Sequence, residues 1–330
     1  MHYLPNYFSQ LLMLFLSGSV ILFLVGCQPT TQNNEQSAEE SINNSLKFTD
    51  YPNLKLGFTT QNFLAAMPVS LETSKQFVDY AAEQGYAWLE LRDPSAELSV
   101  EESQEIAAYA QEKGIEVSYA IQKGLLDEDF WATFEEGLKN AVVFEGPKLI
   151  RSLASLSEFA NDPTKQGWTE EELEIAVQYA DSAAALANQA GLQYVIENGG
   201  EPFYGQIDQY YGVADLFARV SDQVGWQFDT ANPFSVARVH ASPDSVRMFL
   251  QNNIENLFYI HLKSAQGGQA QETLGENPLP LPEVLKMLAD HSVPYIAIEL
   301  QAVDNQEQAF ANQEQSLNYL QSQNLITIPQ

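Results

Sequence analysis

Short apolar runs alternate with longer stretches of helical spacing from about Thr49 to the end of the chain. The first run, Lys55–Asn62, predicts a strand. A helix from Leu71 to Gln84 follows, closed by Gly85, a residue type suited to a C-cap. Trp88–Arg92 predicts a second strand. The stretch after it is a helix to Lys113, with Ser99 as N-cap, Glu102 three residues on and Gly114 at its end. Ile115–Ile121 and Lys148–Arg151 read as strands three and four around a helix over 127–140. Thr169 and the acidic turn after it open a long helix to Ala190, in keeping with the helix dipole. Four more apolar runs come next: Leu192–Glu197, Val224–Asp229, Leu257–His261 and Val293–Glu299. Helical stretches near 207–221, 242–252 and 281–290 separate them, and a last helix covers about 306–322.

This makes eight β–α alternations with no break in composition, the pattern of a parallel sheet. Each of the last four runs ends on a side chain that can bind a metal. Glu197, Asp229, His261 and Glu299 are separated by 32, 32 and 38 residues, close to the roughly 31 residues of one unit in a (β/α)8 barrel. An open, doubly wound sheet does not gather four consecutive strand ends around one point, whereas a closed barrel does. The expected fold is therefore α/β, a single-domain (β/α)8 TIM barrel over residues 50–330. One divalent ion is expected at the C-terminal ends of its strands. Oxygen and imidazole donors without thiolate favour Mn²⁺, Mg²⁺, Co²⁺ or a catalytic Zn²⁺ over a structural zinc.

Composition adds exclusions. Hydrophobic residues make up 45% of the chain, ample for a core. Lys and Arg number 15 against 44 Asp and Glu, a formal charge of −29, which repels nucleic acid. Cys27 is the sole cysteine, so no disulfide forms within the chain. It follows the apolar runs Leu11–Leu16 and Val20–Val25, and Leu24-Val25-Gly26-Cys27 resembles the bacterial lipobox. The expectation is a signal peptide over 1–27, lipid-modified Cys27 and a flexible polar tether over 28–49. The protein would then be exported and lipid-anchored to the bacterial cell membrane or outer membrane, facing the periplasm. An uncleaved N-terminal membrane helix is the alternative.

The order Glu197-Asn198, Asp229-Thr230-Ala231-Asn232, His261-Leu262-Lys263, Leu274-Gly275-Glu276 and Glu299 resembles the xylose isomerase-like sugar phosphate isomerase/epimerase superfamily over about 50–325. The resemblance implies that Glu197, Asp229, His261 and Glu299 bind one divalent metal. It also implies that Glu197 and Glu299 form the acid/base pair of an isomerase or epimerase. Gly199, Asn232 and Ser264 depart from the family pattern at positions that contact substrate or a second metal, which leaves the substrate open. His240, His261 and His291 are too few for the multi-zinc endonuclease branch.

Further candidates for substrate contact are Glu90 and Arg92 on one face of strand two, Asn232, and Lys263, on the same face as His261. Tyr119, Gln122 and Arg151 lie near other strand ends. Gln266-Gly267-Gly268 has no flanking cation except Lys263, so an unphosphorylated carbohydrate is expected rather than a sugar phosphate. The expected function is isomerisation or epimerisation of a sugar or keto-sugar. A metal-dependent lyase or hydrolase acting on an oxidised sugar is an alternative, as is a non-catalytic sugar-binding lipoprotein. Membrane contact is expected only through the lipid anchor, and a homo-oligomer is left open.

Overall fold

Eight parallel strands close on themselves in chain order: β1 (Lys55–Thr59), β2 (Trp88–Arg92), β3 (Glu116–Gly124), β4 (Leu149–Leu153), β5 (Gln193–Glu197), β6 (Val224–Asp229), β7 (Leu257–Leu262) and β8 (Tyr295–Ile298). Closure is made by β8, where Ala297 lies opposite Gly57 of β1 on one side and His261 of β7 on the other. The structure is a computed structural model, described over residues 45–156, 159, 161, 162, 164–204, 210–236 and 240–328. Helices α1 (Leu71–Gln84), α2 (Val100–Lys113), α3 (Phe130–Ala141), α4 (Glu170–Gln189), α5 (Val213–Phe217), α6 (Pro243–Asn253), α7 (Leu281–Asp290) and α8 (Gln306–Ser322) follow their strands one to one. This is a single-domain TIM barrel. Among the described residues no helix is long and apolar enough to cross a membrane.

Local chemistry explains the boundaries. Ser99 and Glu102 form a reciprocal capping box at the start of α2, as Thr169 and Glu172 do for α4, so orphan N–H groups are satisfied there. Gly85 and Gly114 end α1 and α2 in the left-handed region, at φ 78° and 73°. Strands buried on both faces, such as β2 and β6, need apolar residues outward and a filled interior inward. The outward residues meet the helices: Phe58 packs on Phe63, Tyr80 and Tyr86, and Trp226 on Phe217 and Phe249.

A separate apolar layer of Trp88, Leu149, Val195, Tyr259 and Ala297 fills the barrel floor. The Trp88 indole N–H donates to the carbonyls of Lys55 (3.1 Å) and Ile296 (3.2 Å), so this floor is satisfied as well as packed. A methyl group on Gly57 would sit 2.5 Å from the Trp88 carbonyl. Gly57→Ala is expected to cost about 1–3 kcal/mol through overpacking, measured as a lower urea midpoint with unchanged slope.

Several boundaries differ from those expected. The first strand was expected to reach Asn62 but stops at Thr59. The Thr59 hydroxyl accepts from the Gln61 N–H and starts a 3-10 turn over Thr60–Asn62. Strand four runs on to Leu153, two residues past Arg151. The helix expected near 207–221 is shorter and covers Val213–Phe217, with Gly212 as N-cap and Ala218 as C-cap. Residues 210–212 and 218–221 are not helical, and 205–209 lie outside the described residues. The expected tether boundary at 49 needs correction. Leu46 and Phe48 are already buried, and Lys47–Phe48 pairs antiparallel with Ile326–Thr327. The signal segment 1–27 and Cys27 lie outside the described residues.

Candidate metal centre

Parallel strands put every C-terminal end on one face of the barrel, and period-two alternation decides which side chains point inward. In β6, Trp226 and Phe228 pack outward, which turns Asp229 in. In register with it on β7 is His261. Glu197 ends β5, and Glu299 follows β8 directly, its N–H held by the Leu262 carbonyl at 2.9 Å. One donor atom from each of Glu197, Asp229, His261 and Glu299 lies within 4.8 Å of all the others, and all four residues are buried. The expected quartet is thus brought together.

Neighbouring groups fix each donor. Asp229 Oδ1 accepts from the N–H groups of Ala231 and Asn232, both at 2.7 Å, while its fully buried Oδ2 has no hydrogen-bond partner. His261 sets Nε2 3.1 Å from Glu90 Oε2 and aims Nδ1 at Glu299 Oε2 (2.8 Å) and Glu197 Oε1 (3.3 Å). With a proton on Nε2, shared with Glu90, Nδ1 would be the nitrogen free to hold a metal. An orphaned buried carboxylate oxygen and an inward imidazole nitrogen, with two further carboxylates in reach, fit a divalent cation.

Glu90 does not offer itself to a ligand. Its carboxylate receives Thr59 (2.9 Å), Arg92 (3.1 Å), Arg151 (3.0 Å) and the Tyr259 hydroxyl in addition to His261. Arg92 also reaches Glu299 Oε2 at 3.1 Å, and Arg151 reaches Glu197 Oε2 at 2.8 Å. Lys263 Nζ lies 2.7 Å from Glu299 Oε1, 3.3 Å from Asn232 Oδ1 and 3.6 Å from Asp229 Oδ2. Asn232 is itself committed, donating from Nδ2 to the Asn198 carbonyl at 2.8 Å. Four carboxylates therefore share a buried space with three permanent cations and one imidazole.

The charge states follow from this crowding. Burial works against the charged forms of Glu90 and Glu299. Arg151, His261 and Arg92 nevertheless hold Glu90 well below the usual carboxylate range. Lys263, Arg92 and His261 do the same for Glu299. Asp229 is pushed up to about 6 by burial, against Lys263 and with help from Glu299 and Glu197. Burial opposes protonation of His261, but Glu90, Glu299 and Glu197 outweigh it and raise the imidazole well above its ordinary value.

Other expected residues fall elsewhere. Tyr119 stacks on Phe144 and donates to Asp93 at 2.7 Å, on the helix side of β3 and away from the quartet. Arg151, a secondary candidate, belongs to the cluster. Thr59, Tyr259 and Asn198 were not anticipated as its supports, although Tyr259 lies two residues before His261 on the same face. At Gly199 a β-carbon would come within 2.7 Å of the Ser155 carbonyl, so backbone contact excludes a larger residue. Ser264 ties its loop together through Gly275, accepting from its N–H at 2.8 Å.

A family model described as xylose isomerase-like TIM barrel matches residues 78–323. No curated protein matches the chain. Among solved structures it is similar to D-psicose 3-epimerase from Clostridium cellulolyticum H10, with 16% identity and a TM-score of 0.59 over 82% of this chain and 99% of that one. It is also similar to 3-keto-D-glucoside 4-epimerase from E. coli, with 16% identity and a TM-score of 0.58 over 82% and 99% of the two chains. A third likeness is to a protein from Mycobacterium smegmatis solved in complex with magnesium, with 17% identity and a TM-score of 0.54 over 82% and 97%. At these identities the likeness is one of fold.

Proposed function

The chain belongs to the xylose isomerase-like TIM barrel family, and from that premise we propose that it is a divalent-metal-dependent isomerase or epimerase of an unphosphorylated sugar or keto-sugar. The observation that carries this reading is the quartet itself: four donors within 4.8 Å, with Asp229 Oδ2 buried and without a hydrogen-bond partner. Epimerase neighbours in the same fold agree with it. A divalent ion, when bound, supplies Lewis-acid stabilisation of negative charge on the substrate's carbonyl and hydroxyl oxygens.

The protein's own groups supply the rest. Inverting a stereocentre beside a carbonyl requires a proton to leave one face of the carbon and one to return to the opposite face, and isomerisation delivers it to the neighbouring carbon instead. Glu197 comes from β5 and Glu299 from the end of β8, three strands on around the barrel, and they serve as the base and the acid. Arg151 and Arg92 fix the Glu197 carboxylate by ion pairs, and Arg92 with Lys263 holds Glu299 ionised and fixed. His261 is kept in one tautomer by Glu90. Lys263 is the cation best placed to meet a substrate oxygen. Lipid anchoring through Cys27 remains part of the proposal on the strength of the lipobox-like Leu24–Cys27.

The test is a panel of ketoses and keto-sugars in deuterated water, with the protein loaded with Mn²⁺ or Co²⁺ and again after chelation. Chelator-sensitive conversion with deuterium beside the carbonyl supports the proposal. Turnover indifferent to chelator overturns the metal role, and no turnover with any loaded metal favours a binding protein.

Metal uptake should also depend on pH. Donors must be free of protons to bind a metal. Asp229 and His261 both hold protons above their unfolded values. Protonation at these positions therefore favours the folded chain at low pH, and that contribution is lost as pH rises through the folded values. A metal must displace the same protons. Between pH 5 and 7 its affinity is expected to rise roughly tenfold or more, with proton release seen by calorimetry in two buffers. A flat affinity would contradict the assignment.

A further inference from the structure

Lys263 touches two members of the quartet and has a neutral acceptor beside it, and unlike Arg92 it has no bond to Glu90. Its Nζ is 2.7 Å from Glu299 Oε1 and 3.6 Å from Asp229 Oδ2, and Asn232 Oδ1 lies 3.3 Å away. Arg92 and Arg151 are placed differently. Both are also tied to Glu90, at 3.1 and 3.0 Å, and planar forks held at several points have little freedom to yield. Lysine is a point charge on a flexible stem. Asn232 is locked by its bond to the Asn198 carbonyl, so its acceptor oxygen is a fixed resting place. Glu299 and Asp229 cannot give the same lone pairs to an ammonium and to a divalent ion at full strength.

We propose that Lys263 is a built-in competitor for the metal, sharing Glu299 and Asp229 with the ion and withdrawing to Asn232 as the ion is taken up. The lysine thereby sets how tightly the ion is held, and its amine turns from a carboxylate toward the mouth only in the loaded protein. This rests on the quartet being a metal site, the premise of the proposed function.

The experiment is a cobalt titration of metal-stripped wild type, Lys263→Met, Lys263→Arg and Lys286→Met. Binding is followed by calorimetry and the visible cobalt band, and melting temperature is recorded with and without metal. Lys286 is a surface lysine paired to Asp290, so its removal controls for net charge. Close charge pairs couple strongly, so Lys263→Met is expected to tighten cobalt binding at least about tenfold. It should melt lower than wild type when stripped and gain more from added metal. Lys286→Met should stay near wild type, and Lys263→Arg, which keeps the charge but yields less readily, should bind cobalt no more tightly than wild type.

If Lys263→Met cannot be obtained folded, Lys263→Gln carries the same expectation, since its amide still donates to Asn232. Cobalt binding in Lys263→Met no tighter than wild type, or equal tightening in Lys286→Met, overturns the inference alone. Absence of cobalt binding in wild type overturns the metal reading and this inference with it. None of these readouts requires a known sugar.

Discussion

Glu197→Gln and Glu299→Gln are each expected to lower turnover by roughly 10²–10⁴, the usual yield of a positioned acid or base. The amide keeps the shape of the side chain but can neither accept nor hold the transferred proton. If the two residues act on opposite faces of the substrate carbon, their losses differ in kind. Each variant should still exchange with deuterated solvent the hydrogen facing the surviving glutamate, while net epimerisation stops in both. Each glutamate also has cationic partners, so some stability is lost too, Arg151 and Arg92 facing Glu197 and Lys263 and Arg92 facing Glu299. Assays belong well below the melting temperature, with circular dichroism confirming the barrel. Full activity in both variants would falsify the acid/base assignment.

The second large effect concerns Arg151. It has no solvent exposure, and its guanidinium bridges Glu90 and Glu197 at 3.0 and 2.8 Å. Taking one partner from a buried pair leaves the other charge stranded, at a cost of about 3–5 kcal/mol. Arg151→Met, similar in length and without charge, should therefore lose about that much in urea unfolding. Arg151→Lys keeps the charge but not the fork and should lose less. The double variant Arg151→Met with Glu90→Gln separates stranded charge from lost packing, because it removes Arg151 together with one of its two carboxylate partners and leaves Glu197 with Arg92. If it regains most of the stability, the cost was electrostatic. A single variant as stable as wild type would show that the cluster is not held by ion pairing.

The barrel was legible because each βα unit repeats the same local instructions: a cap, an amphipathic turn pattern, a glycine stop and a buried apolar run. The quartet was legible because its members fall at strand ends with nearly the period of the unit. Contacts without a local signature were hidden. Glu90 meets His261 across 171 residues, and Asn62 holds the Ile298 carbonyl across 236. Arg92 and Lys263 could be placed on inward faces, but not their acidic partners, which depend on strand stagger. Lys47–Phe48 read as tether because a two-residue strand shows no periodicity. The bond from the Asn232 amide to Asn198 and the closeness of its oxygen to Lys263 likewise have no local signature.

The seam between β8 and β1 has a kinetic consequence. It joins Lys55 to Tyr295 and Phe58 to Ile298, partners about 240 positions apart. Pairings of such long range form late, because the entropy of closing the loop precedes any return from the contact. Glu299 directly follows the strand that makes this seam, so the fourth donor arrives with ring closure. During refolding, an ion that needs all four donors should register last, after helix content is in place and together with the Trp88 floor, which β8 completes. Stopped-flow cobalt absorbance lagging behind far-ultraviolet ellipticity would time the moment the ring shuts.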